Sequence, residues 1–256
     1  MIKLLMHGCN GKIGQTISRL LKERDDIEIV AGVDPYLGTP NPFPVFASID
    51  ECDVAVDVII DFSTATAVNT LVDYAADHSI PTVVCTTGLS TQDIDYLNEA
   101  SKKVPIFFSA NMSLGVNLLI ALAKRATEVL SGSGFDIEII EKHHNQKIDA
   151  PSGTALAIAD AINETLDNTY EYRYDRSTVR EKRPQKEIGI HAVRGGTIVG
   201  EHEILFAGND EFISLTHQAT SKEVFAVGAI NAAKFLANKK TSGLYNMEHL
   251  LDESIR

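Results

Sequence analysis

The chain has 256 residues, 44% hydrophobic and 23% charged, as in a globular enzyme able to bury one large core or two smaller ones. A formal net charge of −12 argues against a nucleic-acid or anionic-membrane partner, so an anionic ligand needs a local cationic pocket. Cys9, Cys52 and Cys85 lack metal or disulfide spacing, which points to reduced thiols in a cytoplasmic protein, and no apolar run reaches the roughly 18 residues of a membrane span.

The first half of the chain alternates strand and helix patterns. An apolar run at 2–6 ends in a glycine loop, and Ile13, Ile17, Leu20 and Leu21 then repeat at helical spacing. Residues 27–33 read as a second strand closing at Asp34, and the Pro-rich stretch 35–44 reads as a loop. Strands are expected at 54–61, 81–87 and 104–109, with helices at 64–78 and 91–102. Such alternation predicts a parallel sheet with right-handed crossovers.

The rhythm changes after Asn111. A helix is expected at about 114–130, a strand at 135–141 and a helix at 153–166, followed by a polar stretch, 167–187, without clear periodicity. The content of Tyr and Arg at 168–187 suits a mobile lid or an intersubunit contact. Strand patterns at 188–194, 197–206 and 211–217 are joined by Gly195-Gly196 and Gly208-Asn209-Asp210, short turns that favour antiparallel hairpins. A last helix covers about 222–238. The expectation is an α/β protein. A Rossmann-like, doubly wound nucleotide-binding domain takes residues 1–112 and 222–256. A central α+β domain, 113–221, carries a mixed, largely antiparallel sheet.

Gly8-Cys9-Asn10-Gly11-Lys12-Ile13-Gly14 lies between a strand and an amphipathic helix, the setting of a dinucleotide loop. Glycines permit the tight turn, and the helix N-terminus faces the pyrophosphate. Asn10 occupies the second glycine position of G-x-G-x-x-G, and Asn tolerates the left-handed backbone better than most residues. Asp34 follows at the distance where an acid bonds the adenosine ribose, and it disfavours a 2′-phosphate. Lys12 pulls the other way, toward NADPH.

The densest chemistry lies at Glu141-Lys142-His143-His144-Asn145-Gln146-Lys147-Ile148-Asp149-Ala150-Pro151-Ser152-Gly153-Thr154-Ala155. Adjacent histidines in an extended segment point apart and serve different roles. A histidine is a natural general acid near neutral pH. Lys147 offers a point charge for a carboxylate or a second proton. Pro151-Ser152-Gly153-Thr154 reads as a helix start, with Ser152 or Asp149 as cap, whose free N–H groups suit a carboxylate oxygen. A two-histidine metal site is disfavoured, because only Glu141 and Asp149 lie near and neither completes a metal spacing. Arg194 could partner a carboxylate, but it also reads as a strand-end surface residue and stays outside the catalytic set.

The segment His143-His144-x-x-Lys147-x-Asp149-x-Pro151-Ser152-Gly153-Thr154-Ala155 resembles the signature of the 4-hydroxy-tetrahydrodipicolinate reductase family, of the diaminopimelate route to lysine. The resemblance extends to Gly8-x-x-Gly11-x-x-Gly14, Asp61-Phe62-Ser63, Thr86-Thr87-Gly88, the run Ser109-Ala110-Asn111-Met112-Ser113-x-Gly115-Val116-Asn117, and Val193-Arg194-Gly195-Gly196-x-Ile198-Val199-Gly200-Glu201-His202. It implies a homotetrameric enzyme whose nucleotide-binding domain is built from both ends of the chain. The implied reaction is hydride transfer from NADH or NADPH to a cyclic, unsaturated dicarboxylate with release of water. His143 would be proton donor or acceptor and Lys147 a second donor, while His144, Gly153 and Thr154 would hold substrate. The nucleotide would meet Gly8, Cys9, Asn10, Gly11, Lys12, Ile13, Asp34, Cys85, Thr86, Thr87, Ser109, Ala110, Asn111 and Met112.

The chain departs from the family at Cys85, where glycine is frequent, and at Pro35, where NADPH-using members can carry a basic residue. The second departure favours NADH. Another two-domain NAD-dependent dehydrogenase of amino or hydroxy acids would keep the glycine loop but has no need of the full histidine–lysine segment. A nucleotide sensor without catalysis would be expected to lose His143 or Lys147.

Overall fold

The computed structural model describes residues 1–254. The chain divides into two compact units, residues 1–114 with the chain from Glu223 onward, and Gly115–Lys222.

The first unit contains β1 (Ile2–His7), α1 (Lys12–Leu21), β2 (Ile27–Val33), β3 (Val45–Phe46), β4 (Val58–Asp61), α2 (Ala65–His78), β5 (Thr82–Val84), α3 (Thr91–Ala100) and β6 (Pro105–Phe108). The order β12-β6-β5-β4-β1-β2-β3 is completed by β12 (Gly243–Tyr245), and every pairing is parallel. Alternate residues of each strand face opposite sides of the sheet. Leu4, Met6, Val58, Ile60, Val83 and Phe107 join one buried cluster, which includes Ile17 of α1 and Ala229 and Leu236 of α6 (Glu223–Ala237). Leu5 and Ile59 pack on the other face with Leu71 and Ala75 of α2. Each such fully buried aliphatic side chain contributes about 1.5–3 kcal/mol. Both faces are covered, so these strands read as continuous apolar runs rather than as alternation.

The expected strand at 54–61 begins only at Val58, and β5 stops at Val84 rather than at residue 87. The strands β3 and β12 and the helix α7 (Met247–Ser254) were not foreseen. The strands among them are two or three residues long, too short to show a period.

The second unit is built on the order β11-β10-β7-β9-β8, with β7 (Asp136–His143), β8 (Glu171–Arg173), β9 (Glu187–Arg194), β10 (Gly200–Ala207) and β11 (Phe212–Ala219). Ile137 and Ile139 of β7, Ile188 and Ile190 of β9 and Ile204 and Phe206 of β10 pack with residues of α4 (Leu114–Leu130) and α5 (Gly153–Thr165). The sheet is mixed, but two pairings are parallel, β7 with β9 and β8 with β9, and two are antiparallel, β10 with β7 and with β11. The expected hairpin at Gly195-Gly196 therefore does not form, because β7 lies between β9 and β10. The helix α5 carries the chain over from β7 to a parallel return, and that crossover takes the central place. The β10–β11 hairpin does form.

The stretch 167–187 contains β8 and is pinned by arginines. Arg173 and Arg176 bond the buried Glu187 carboxylate, and Arg183 donates to the carboxylates of Asp136 and Glu138 and to the carbonyls of Ile137 and Glu187. A segment so tied to the sheet edge does not suit the expected mobile lid.

Candidate active site

In the first unit the strands β1, β2, β4, β5 and β6 run parallel, so their carboxyl ends lie on one edge, with the change of direction in strand order between β1 and β4. Crevices at such points are where doubly wound sheets take ligands. Gly8 follows β1 with φ +80°, and a Cβ there would lie 2.5 Å from the Phe62 carbonyl oxygen. A Cβ on Gly14 would meet the Gly8 carbonyl oxygen at 2.4 Å, so α1 approaches the loop as closely as backbone allows. Gly11 caps α1 and, with Lys12, is exposed, whereas Cys9 is buried and Ile13 half-buried. The helix therefore presents N–H groups that no side chain caps.

The turn forms without Asn10 entering the left-handed region. The Asn10 side chain does the structural work instead, donating to the Tyr36 carbonyl and accepting from Asn41 Nδ2 at 2.8 Å. Asp34 reaches the loop. Its Oδ2 accepts from the Asn10 N–H at 3.0 Å and its Oδ1 from the Tyr36 N–H at 2.9 Å. Thr86 turns its hydroxyl inward to Asp61 Oδ2 at 2.7 Å. The fully buried Asp61 also accepts from Ser63 N and pairs with His7 Nδ1 at 2.7 Å. Thr86 and Cys85 are buried, so only backbone is available from them, whereas Thr87 and Ala110 are exposed. Ser109 bonds the Asn111 carbonyl, Asn111 Oδ1 accepts from Ser113 N, and Met112 is in the core.

In the second unit the strand β7 runs through to His143, two residues beyond the expected end. Period-two alternation then puts Glu141 and His143 on the same buried face, while the half-buried His144 lies beyond the strand end. His143 Nδ1 lies 2.6 Å from Glu141 Oε2. Arg194 grips Glu141 with two bonds of 2.7 Å, and the Ser152 N–H adds a third donor at 2.9 Å. Burial pushes the Glu141 carboxyl upward, but the bonds from Arg194, His143 and Ser152 outweigh it and hold the group below the ordinary carboxylate range. Arg194, half-buried at the end of β9, is thus more than a surface residue. It clamps a carboxylate that is 0% exposed.

Ser152 is the N-cap of α5, accepting from the Ala155 N–H at 3.1 Å, and its hydroxyl also meets His202 Nε2 at 3.0 Å. The His202 ring packs edge-on against His143 at 5.2 Å. Burial, then the neighbouring His143, depress His202 to about 4, so it is neutral near pH 7. Lys147 pairs with Asp149 Oδ1 at 2.9 Å, and that ammonium, with a smaller contribution from the Gly153 N–H, holds the Asp149 carboxyl below the usual carboxylate range. Lys147 and the first N–H of α5 thus already converge on one carboxylate, with Thr154 next in the same turn.

Residues 2–112 match the family model "Dihydrodipicolinate reductase, N-terminus" and residues 115–251 match "Dihydrodipicolinate reductase, C-terminus". The chain belongs to the dihydrodipicolinate reductase family. It is 56% identical over 251 residues to the 4-hydroxy-tetrahydrodipicolinate reductase of Caldanaerobacter subterraneus subsp. tengcongensis, covering 98% of each chain. To the enzyme of that name from Clostridium tetani it is 48% identical over 252 residues, again covering 98% of each. Among solved structures, a dipicolinate-bound dihydrodipicolinate reductase from Paenisporosarcina sp. TG-14 shares the fold, with TM-score 0.82 and 24% identity, covering 96% of this chain and 97% of that one. A probable dehydrogenase from Thermotoga maritima shares it more loosely, with TM-score 0.63 and 13% identity, covering 97% of this chain and 92% of that one.

Glu141, Arg194 and His202 gather around His143, and none of the three is in the expected catalytic or binding set. Arg194 ends β9, whose neighbour in the sheet is β7 rather than the expected β10. Glu141 gave a usable signal, an acid two residues before a histidine on a strand, once the strand is extended to residue 143.

Proposed function

We propose that this chain reduces 4-hydroxy-tetrahydrodipicolinate to tetrahydrodipicolinate in lysine biosynthesis, with His143 and Lys147 as proton donors. The observation that carries the proposal is the convergence at the end of β7 of an imidazole, an ammonium group and a helix N-terminus. The overall reaction takes up one hydride and one proton and releases water. Reduction of a conjugated ring leaves electron density that a nearby acid must quench. With Nδ1 of His143 taken by Glu141, the proton leaves from Nε2. Lys147 and the Gly153 N–H hold a substrate carboxylate, displacing Asp149 from them, and His144 and Thr154 flank it.

A nicotinamide dinucleotide supplies the hydride when bound. The first unit fits it: Gly8 and Gly14 carry no Cβ where the loop closes on backbone, α1 offers uncapped N–H groups, and Asp34 stands beside them. Gly8 to Ile13 meet the pyrophosphate, Asp34 the ribose hydroxyls, and the backbone at Cys85, Thr86, Thr87 and Ser109 to Met112 the nicotinamide side. We favour NADH, because Asp34 repels a 2′-phosphate and Pro35 adds no cation, although Lys12 is exposed and opposes the preference.

We further place residues 1–112 and 222–256 in cofactor binding and 113–221 in substrate binding and tetramer contacts. The exposed Val193 and Phe212 favour a covered sheet face. The three cysteines are free and buried, which accords with a reducing cytoplasm.

The test follows absorbance of reduced nicotinamide, with NADH and separately NADPH, while a synthase generates substrate from pyruvate and aspartate semialdehyde. Rapid loss that needs both proteins supports the proposal, and the faster cofactor is expected to be NADH. No loss with either cofactor from folded protein contradicts the substrate assignment.

A further inference from the structure

We infer that Glu141 is a positioning residue for His143: it takes the Nδ1 proton, Arg194 and the Ser152 N–H fix the carboxylate, and Nε2 alone is presented for proton exchange. The inference rests on His143 being the proton donor proposed above.

A carboxylate with no exposed surface is costly unless fully compensated. Here both oxygens are used. Oε2 takes His143 Nδ1 and one Arg194 nitrogen, and Oε1 takes the other Arg194 nitrogen and the Ser152 N–H. The donors come from three places in the chain. His143 is on β7, Arg194 is its register partner on β9, and Ser152 caps α5. Arg194 also donates to the Asp149 carbonyl at 2.6 Å, tying down the loop that carries Lys147. An imidazole bonded at one nitrogen to a fixed acceptor has its tautomer and ring plane chosen for it.

The other nitrogen is kept clear. Gly200 of β10 lies beside it, and a Cβ there would come within 3.1 Å of Nε2. The His202 ring packs edge-on against the imidazole at 5.2 Å and no hydrogen bond to Nε2 is formed among the described residues. A structural staple between β7 and β9 would explain the Arg194–Glu141 pair by itself. It would not explain why the second acceptor position on Oε2 is spent on an imidazole whose far nitrogen is left open.

The experiment is a double-mutant cycle on steady-state kinetics, Glu141→Gln in the wild-type and in the His143→Gln background. In the wild-type background we expect kcat to fall by about 10–100-fold, with KM and the NADH Kd within about twofold. In the His143→Gln background we expect the same change to cost less than about twofold, because the residue acts through His143. Wild-type kcat in Glu141→Gln, or an equal loss in both backgrounds, would overturn the inference while leaving His143 in place. Wild-type kcat in His143→Gln would overturn the proton-donor assignment, and this inference with it.

The wild-type protein gives a second readout that needs no Glu141 variant to fold. With 15N-labelled histidine, and His143 assigned by its loss in His143→Gln, the neutral ring is expected as the Nδ1–H tautomer. An Nε2–H tautomer would contradict the inference.

Discussion

At the end of β1 the groups offered to a ligand are backbone N–H groups, whereas at the end of β7 they are side chains held by other side chains. The loop at Gly8 works by what it lacks. A Cβ at Gly8 or Gly14 would strike backbone oxygens at 2.5 and 2.4 Å, and no side chain caps α1. The cluster at His143 works by what it contains, a buried carboxylate with donors on both oxygens and a cation beside a helix start. A diphosphate is bound well by an array of dipoles. A reacting ring needs protons, and only titratable side chains deliver them. The first site is therefore expected to be sensitive to added atoms and the second to removed charges.

The sharpest break in that comparison is expected from His143→Gln, which should lower kcat by about 10² or more while leaving NADH binding unchanged. Stopped-flow or steady-state rates beside an NADH titration check this, and wild-type turnover would remove His143 from the chemistry.

Next in size is a pH effect confined to the second site. The folded pKa of His202, about 4, lies below the ordinary 6.5, so the unfolded chain binds the extra proton between those values. Its contribution to stability is complete above pH 6.5 and is lost as pH falls toward 4, by at most about 3 kcal/mol. Urea unfolding at several pH values should show this slope, and His202→Gln should flatten it. An unchanged slope would mean that His202 titrates normally.

The smallest expected effect is at the first site. Asp34→Ala should weaken NADH by up to about tenfold and shift preference toward NADPH, since one bidentate acceptor is lost. An unchanged ratio of the two kcat/KM values would place Asp34 away from the ribose.

Much of this was legible in the residues. The glycine loop, Asp34 at the end of β2, and the Ser152 cap of α5 are local signals, and they occur where the spacing placed them. The Gly195-Gly196 turn misled, because turn chemistry is local but strand partners are chosen by the whole sheet, and β7 took the place between β9 and β10. The same error hid the partner of Arg194. Its partner Glu141 lies on β7, and only the parallel β7–β9 register puts Arg194 opposite His143. The Thr86 hydroxyl is taken by Asp61, a contact between the ends of neighbouring strands that no spacing within the chain reveals, and it leaves the backbone there as the part open to a ligand.

The most direct test of the division between backbone-built and charge-built sites measures two affinities in two variants, NADH and dipicolinate, by calorimetry. In Lys147→Ala the account predicts that dipicolinate affinity falls by about tenfold or more, with the NADH Kd unchanged. In Gly8→Ala it predicts the reverse, because the added Cβ meets Phe62 at a left-handed position. If both affinities fall together in each variant, with folding intact, the two sites are not separable in this way and the account is contradicted.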